Sequence, residues 1–320
     1  MNNFSSTLTL FLSLIVEAMP FLLLGVILSG VLLLFIDERK LVANLPRHPL
    51  LGALAGGVMG FLLPVCECGN VPVARRLLML GAPSSVAIGF LLAAPVVNPV
   101  VFWATWTAFR DQPEIALLRI SFSLLIATLV GWVFSAQADL TPLLQPQMAR
   151  SLSVRSVPSA SSVDLLQGGT FFVQGETVAV ATKPLGQRLQ LLAANTVQEF
   201  RELGAVLLLG AAIATAVQVL VPREVVLSLG QGPISSIAAM MLLATIVSIC
   251  STVDSFFALS FASTFTSGSL LAFLVFGPMI DLKTVALLLT VFKKRVVLYL
   301  FLLAGQLTFL LTLFVNLRIS

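Results

Sequence analysis

The sequence predicts an all-α polytopic membrane protein made of two homologous repeats, and three observations carry that expectation. Of 320 residues, 58% are hydrophobic and only 10% are charged, with a mean hydropathy of +1.05. A soluble domain carries roughly a quarter charged residues. Several apolar runs approach or exceed the ~20 residues that span a bilayer. Rare residues also recur in the same order in two halves. Glu17 and Glu202 are 185 positions apart, as are Gly25 and Gly210; Cys66 and Cys250 are 184 apart; Pro95 and Pro278, and Asn98 and Asp281, are 183 apart. A drift of one residue per element is what small gaps produce. Apolar composition makes any two membrane segments look alike, but it does not order Glu, Gly, Cys, Pro and Asn/Asp. Residues 1–135 form the first repeat, 136–190 a hydrophilic linker and 191–320 the second repeat. About eight membrane segments are expected.

The first span runs from about Thr7 to Ile36 and carries Glu17, with Gly25, Ser29 and Gly30 permitting close helix contact. Asp37-Glu38-Arg39-Lys40 ends it. His48, the only histidine, reads as an interfacial residue. A broken segment follows, from about Leu50 to Leu80. At its centre, Leu63-Pro64-Val65-Cys66-Glu67-Cys68-Gly69-Asn70-Val71-Pro72 places two thiols and a carboxylate where Pro64, Gly69 and Pro72 interrupt the helix. Irregular backbone at membrane depth is tolerated only where protein buries it or it lines a watery cavity. Arg75 and Arg76 then either snorkel to an interface or face the site; the cost of burying two arginines favours the interface. A second break, Ala93-Ala94-Pro95-Val96-Val97-Asn98-Pro99, again flanks a polar residue with prolines, and Ile115 to Phe134 is a clean span.

The linker is rich in Ser, Gln, Pro and Thr and reads as solvated, with a short strand at most near Thr170 to Val173. Its Arg150, Arg155, Lys183 and Arg188 place it in the cytoplasm. The second half repeats the plan. A span from about Val197 to Val221 carries Glu202. A segment from Ile234 breaks at Cys250-Ser251-Thr252-Val253-Asp254. A further break lies at Gly277-Pro278-Met279-Ile280-Asp281-Leu282-Lys283. The last span runs from Val296 to Val315.

The net charge of +4 does not indicate nucleic acid, because Lys and Arg cluster beside apolar runs in the positive-inside pattern. The start of the chain has no basic n-region or cleavage site, so no signal peptide is expected. A multi-pass protein of the cell (inner or plasma) membrane is the expectation. Keeping the basic clusters cytoplasmic favours an outside N-terminus, re-entrant cysteine segments and inverted repeats. Full crossing by those segments gives eight spans and parallel repeats.

All three cysteines lie at a first break of one half or the other. Convergence of Cys66, Cys68 and Cys250 would suit a soft metal or metalloid, although buried cysteine is also an ordinary packing residue. Glu67 and Asp254 are candidates for substrate binding and proton coupling, and Glu17 and Glu202 for proton coupling. Asn98 and Asp281 are candidates for substrate binding. Asp281 alternatively pairs with Lys283 or caps the following helix.

The motifs Pro64-Val65-Cys66-Glu67-Cys68-Gly69-Asn70-Val71-Pro72, Ala94 to Val101, Ser248 to Phe256 and Gly277 to Lys283 resemble those of the YraQ-like predicted permeases. That family includes the ArsP organoarsenical efflux permease. The likeness covers both halves but not the linker. It implies a permease with duplicated halves, some members exporting trivalent methylated or aromatic arsenicals. Two departures stand out. The family's Cys-Ser-Cys-Gly is Cys66-Glu67-Cys68-Gly69 here, and its acidic residue after Cys-Ser is Thr252. An added carboxylate favours a cation or a proton step.

The leading expectation is therefore a secondary transporter, proton-coupled and acting in efflux, for a soft metal or metalloid. No cofactor and no enzyme activity are expected, and the lack of a P-loop or other nucleotide motif argues against ATP hydrolysis by this chain. The alternative is a transmembrane thiol–disulfide electron carrier using Cys66 and Cys250. The expected partners are the lipid bilayer, a small inorganic or organometalloid substrate, and either a second copy of the chain or an accessory subunit.

Overall fold

Backbone in hydrocarbon must satisfy its own hydrogen bonds, which leaves helices as the answer for apolar runs of this kind. The computed structural model describes residues 2–35, 46, 48–63, 65–79, 81–135, 144, 185–220, 232–262 and 264–319. Among them are twelve helices and no strand. They are α1 (Asn2–Phe35), α2 (Pro49–Leu62), α3 (Glu67–Met79), α4 (Ser84–Ala93), α5 (Pro99–Ala108), α6 (Glu114–Ser135), α7 (Leu185–Leu220), α8 (Pro233–Val247), α9 (Asp254–Leu259), α10 (Ser267–Met279), α11 (Leu282–Val291) and α12 (Lys294–Ile319).

Among the described residues, four stretches are long and apolar enough to cross a membrane: Thr7–Ile27, Glu114–Ser135, Ser267–Val291 and Lys294–Arg318. The third is two helices, α10 and α11, joined through Ile280 and Asp281. The remaining helices near the breaks are short. At 1.5 Å per residue, the 14 residues of α2 rise only about 21 Å, less than the ~30 Å hydrocarbon core.

Packing is the same in both halves for three pairs: α2 on α4, α4 on α6 and α2 on α6 in the first, with α8 on α10, α10 on α12 and α8 on α12 in the second. The halves also interleave. The helix after the first break of each half meets the helix after the second break of the other, α3 on α11 and α9 on α5. The long helices α1 and α7 pack on each other but choose different partners, α3 for α1 and α11 for α7.

The breaks are narrower than the sequence suggests. Gly69 and Pro72 lie inside α3, and Gly277 and Pro278 lie inside the last turn of α10. Gly69 serves close approach rather than interruption: a Cβ on Gly25 of α1 would land on its backbone. Pro72 removes one N–H from α3 without ending it, and Pro278 precedes the real break by two residues. Pro99 opens α5 at its first position, where a missing N–H costs nothing, and Pro95 lies in the turn before it. Pro64 lies outside the described residues.

Three further differences concern the surface and the linker. Helix α7 begins at Leu185, inside the segment expected to be linker. Leu144, also in that segment, is buried and bridges to the backbone of Phe292. Arg76 is buried in the protein, with Nη1 donating to Met79 Sδ at 3.6 Å. His48 is exposed just before α2. The strand considered near Thr170 lies outside the described residues.

Candidate functional site

The two cysteine breaks are built differently. In the first half, α2 stops at Leu63, Val65 and Cys66 are irregular, and Glu67 opens α3. The carbonyl of Cys66 accepts from the N–H groups of Gly69 and Asn70, at 3.0 Å each. In the second half, α8 ends on Ser248, whose φ of 49° is left-handed, and the Cys250 carbonyl accepts from Val253 and Asp254, at 2.9 Å each. A serine there is uncommon and marks local strain. Each cysteine carbonyl thus anchors the first turn of the helix that follows it.

The interleaving of the halves brings the thiols together. Cys250 and Cys68 are close side-chain neighbours of Cys66. All three cysteines are buried and free of disulfides. Thr252 donates to Cys250 Sγ at 3.6 Å. Among the described residues, no group of three His, Cys, Asp or Glu side chains is arranged to hold a metal ion. Cys66 neighbours both other thiols, and the three are not closed around a common centre.

Glu67 is buried beside them. The groups that act on it electrostatically are Cys250, Cys68, Lys283 and Asp281, so residues of α3, the Cys250 turn and α11 meet here. Its Oε2 has no hydrogen-bond partner among the described residues, nor does Oδ1 of Asn70 one turn along α3. Asn70 Nδ2 donates to the Leu91 carbonyl at 2.6 Å. The two buried acceptors stand one turn apart on α3.

The second-break residues both act as helix caps. Asn98 Oδ1 accepts from the N–H of Val100 at 2.9 Å, and Asp281 Oδ1 accepts from Thr284 at 2.6 Å. Asp281 Oδ2 also lies 3.9 Å from the buried Lys283 ammonium. Both alternatives raised for Asp281 therefore hold, and Lys283 joins the cluster around Glu67. Asn98 caps α5.

Asp254 is held elsewhere. Its Oδ2 accepts from Arg119 Nη2 at 2.6 Å, with both side chains fully buried. Arg119 Nη2 also donates to the Ser251 carbonyl at 3.3 Å, and Nη1 to the hydroxyls of Thr105 and Ser255, at 2.8 Å each. The sequence reading passed over Arg119 because it saw a clean span there. An arginine five residues into an apolar helix was itself the signal. Glu202 is exposed on α7, away from the cluster. The side chain of Glu17 lies outside the described residues.

A family model described as a predicted permease (ArsP_1) matches residues 3–317. The chain belongs to this family. A relative in Bacillus subtilis (strain 168), "UPF0718 protein YcgR", is 36% identical over 296 residues, 92% of each chain. A "Putative two-component membrane permease complex subunit" of Streptococcus mutans serotype c is 32% identical over 291 residues, covering 91% of this chain and 88% of that protein. No solved structure matches. The permease is a multi-pass membrane protein, and its family points to transport rather than to an enzyme.

Proposed function

We propose that this permease is a secondary transporter for a thiophilic substrate, a soft metal or a metalloid such as a trivalent organoarsenical, driven outward by proton coupling. One observation carries the reading. The broken segments of two similar halves bring Cys66, Cys68 and Cys250 together beside the buried Glu67, inside a bundle with membrane-length apolar helices. Three thiols offer soft donors that a thiophile would draw closed around itself. Glu67, with an unpartnered oxygen and Lys283 nearby, is the group placed to trade a proton against substrate.

The matching order of the six helices described in each half and their three shared packing pairs support an internal duplication. The α3–α11 and α5–α9 crossings support a site at the meeting of the repeats. The name of the streptococcal relative makes an accessory subunit a natural expectation for this chain as well.

The test is substrate protection of thiol labelling. Purified permease in liposomes is labelled with a maleimide in the presence of phenylarsine oxide, Cu(I) or Zn²⁺. Selective slowing by one of them, at least tenfold, is the expected result. Equal labelling with and without every ligand would sink the thiophile reading. A second reading, the thiol–disulfide electron carrier, draws on the closeness of Cys66 to Cys250, one thiol from each half. It requires labelling of the isolated protein to appear only after reduction.

A further inference from the structure

Arg119 stands in the first half, on α6, yet two of its four hydrogen-bond partners belong to the turn that carries Cys250. Nη2 donates to the Ser251 carbonyl and to Asp254 Oδ2. Asp254 in turn gives its N–H to the Cys250 carbonyl at 2.9 Å. Nη1 reaches the Thr105 hydroxyl on α5 and the Ser255 hydroxyl on α9. Those two hydroxyls lie 3.0 Å apart, and Thr105 also donates to the Val101 carbonyl at 2.8 Å. The guanidinium is therefore a rigid fork that ties the halves together: Nη1 reaches Thr105 of the first half and Ser255 of the second, and Nη2 reaches only the second. It clamps the Ser251–Ser255 turn from the side of the first half, whereas lysine has neither the planar geometry nor enough fixed donors to do so.

The turn needs an outside hold. It follows the left-handed Ser248, and α9 is only six residues long. Val253, at the start of α9, makes no side-chain cap. Such a segment has little of its own to fix where Cys250 points.

We propose that Arg119 is the positioning residue of the thiol site: by gripping Ser251 and Asp254 it holds Cys250 against Cys66 across the two halves. This rests on the thiol site proposed above but makes a separate claim. Arg119 does not touch substrate. It sets the distance between the one thiol supplied by the second half and the pair supplied by the first.

The experiment uses full-length permease in nanodiscs and dibromobimane, which fluoresces once it has bridged two thiols. In a Cys68→Ser background only Cys66 and Cys250 can be bridged. In a Cys250→Ser background only Cys66 and Cys68 can be. Arg119→Gln is expected to slow Cys66–Cys250 bridging at least tenfold and leave Cys66–Cys68 bridging within twofold. Because Arg119→Gln strands a buried carboxylate, Arg119→Gln/Asp254→Asn is made in parallel. It is expected to restore folding yield but not Cys66–Cys250 bridging, and Arg119→Lys to recover bridging only in part. Unchanged Cys66–Cys250 bridging in the double variant overturns the proposal, as does equal slowing of both pairs, which assigns Arg119 to general support of the fold. The thiophile reading fails separately, by the absence of ligand protection in protein whose bridging still responds to Arg119.

Discussion

At the scale of single residues, Arg119 and Asp254 are paired whereas Glu67 Oε2 is not, although Nε of Arg119 also has no hydrogen-bond partner among the described residues. Arg119 and Asp254 have direct contact and hydroxyl support on both sides. Removing one partner of such a pair costs about 3–5 kcal/mol, because the other is left charged in a dry interior. Arg119→Gln should therefore lower the unfolding midpoint in a denaturing-detergent titration far more than the double variant does. The second-break caps allow a graded comparison. Asn98→Ala removes one cap bond, a loss of about 1 kcal/mol. Asp281→Ala removes a cap bond and also the carboxylate 3.9 Å from Lys283, so its loss should be the larger. Equal losses for the two would mean that Lys283 does not depend on Asp281.

At the scale of helices, glycine separates close approach from chain interruption. A Cβ at Gly25 would meet the backbone of Gly69, so α1 and α3 touch main chain to main chain. Gly25→Ala should cost on the order of 1–3 kcal/mol by forcing the helices apart. Nothing lies within 4 Å of a Cβ at Gly204, in the middle of α7. Gly204→Ala should leave the thermal midpoint unchanged or raise it, gaining up to about 1 kcal/mol of helix propensity. The same contrast explains why Gly69 and Pro72 misled the sequence reading. Breaker residues report a local cost, but the interior contacts that offset it come from α1, a distant part of the chain.

At the scale of the molecule, the arrangement of the halves in the membrane follows from the side of each end. Inverted repeats put the N-terminus and the linker on opposite sides; parallel repeats put them on the same side. In a cysteine-free background, Ser5→Cys should react with an impermeant maleimide added outside cells, and Ser151→Cys only in inverted vesicles. Reaction of both from the cytoplasmic side would establish eight crossings and parallel halves.

Composition and hydropathy determined by themselves that this is an all-helical, multi-pass membrane protein. The order of rare residues located the breaks, because apolar helices at membrane depth tolerate polar residues only for a reason. The four motifs were also enough to place the chain among the predicted permeases. What the sequence left open was partnership. It presented Cys66 and Cys250 as candidates 184 positions apart, and only the interleaving of α3 with α11 and α5 with α9 made their thiols close neighbours. It gave Arg119 no role, since one charge in an apolar run names no partner. Asp254 lies 135 residues further on, and the choice between them is made by the packing of helices from two halves, which no local pattern encodes.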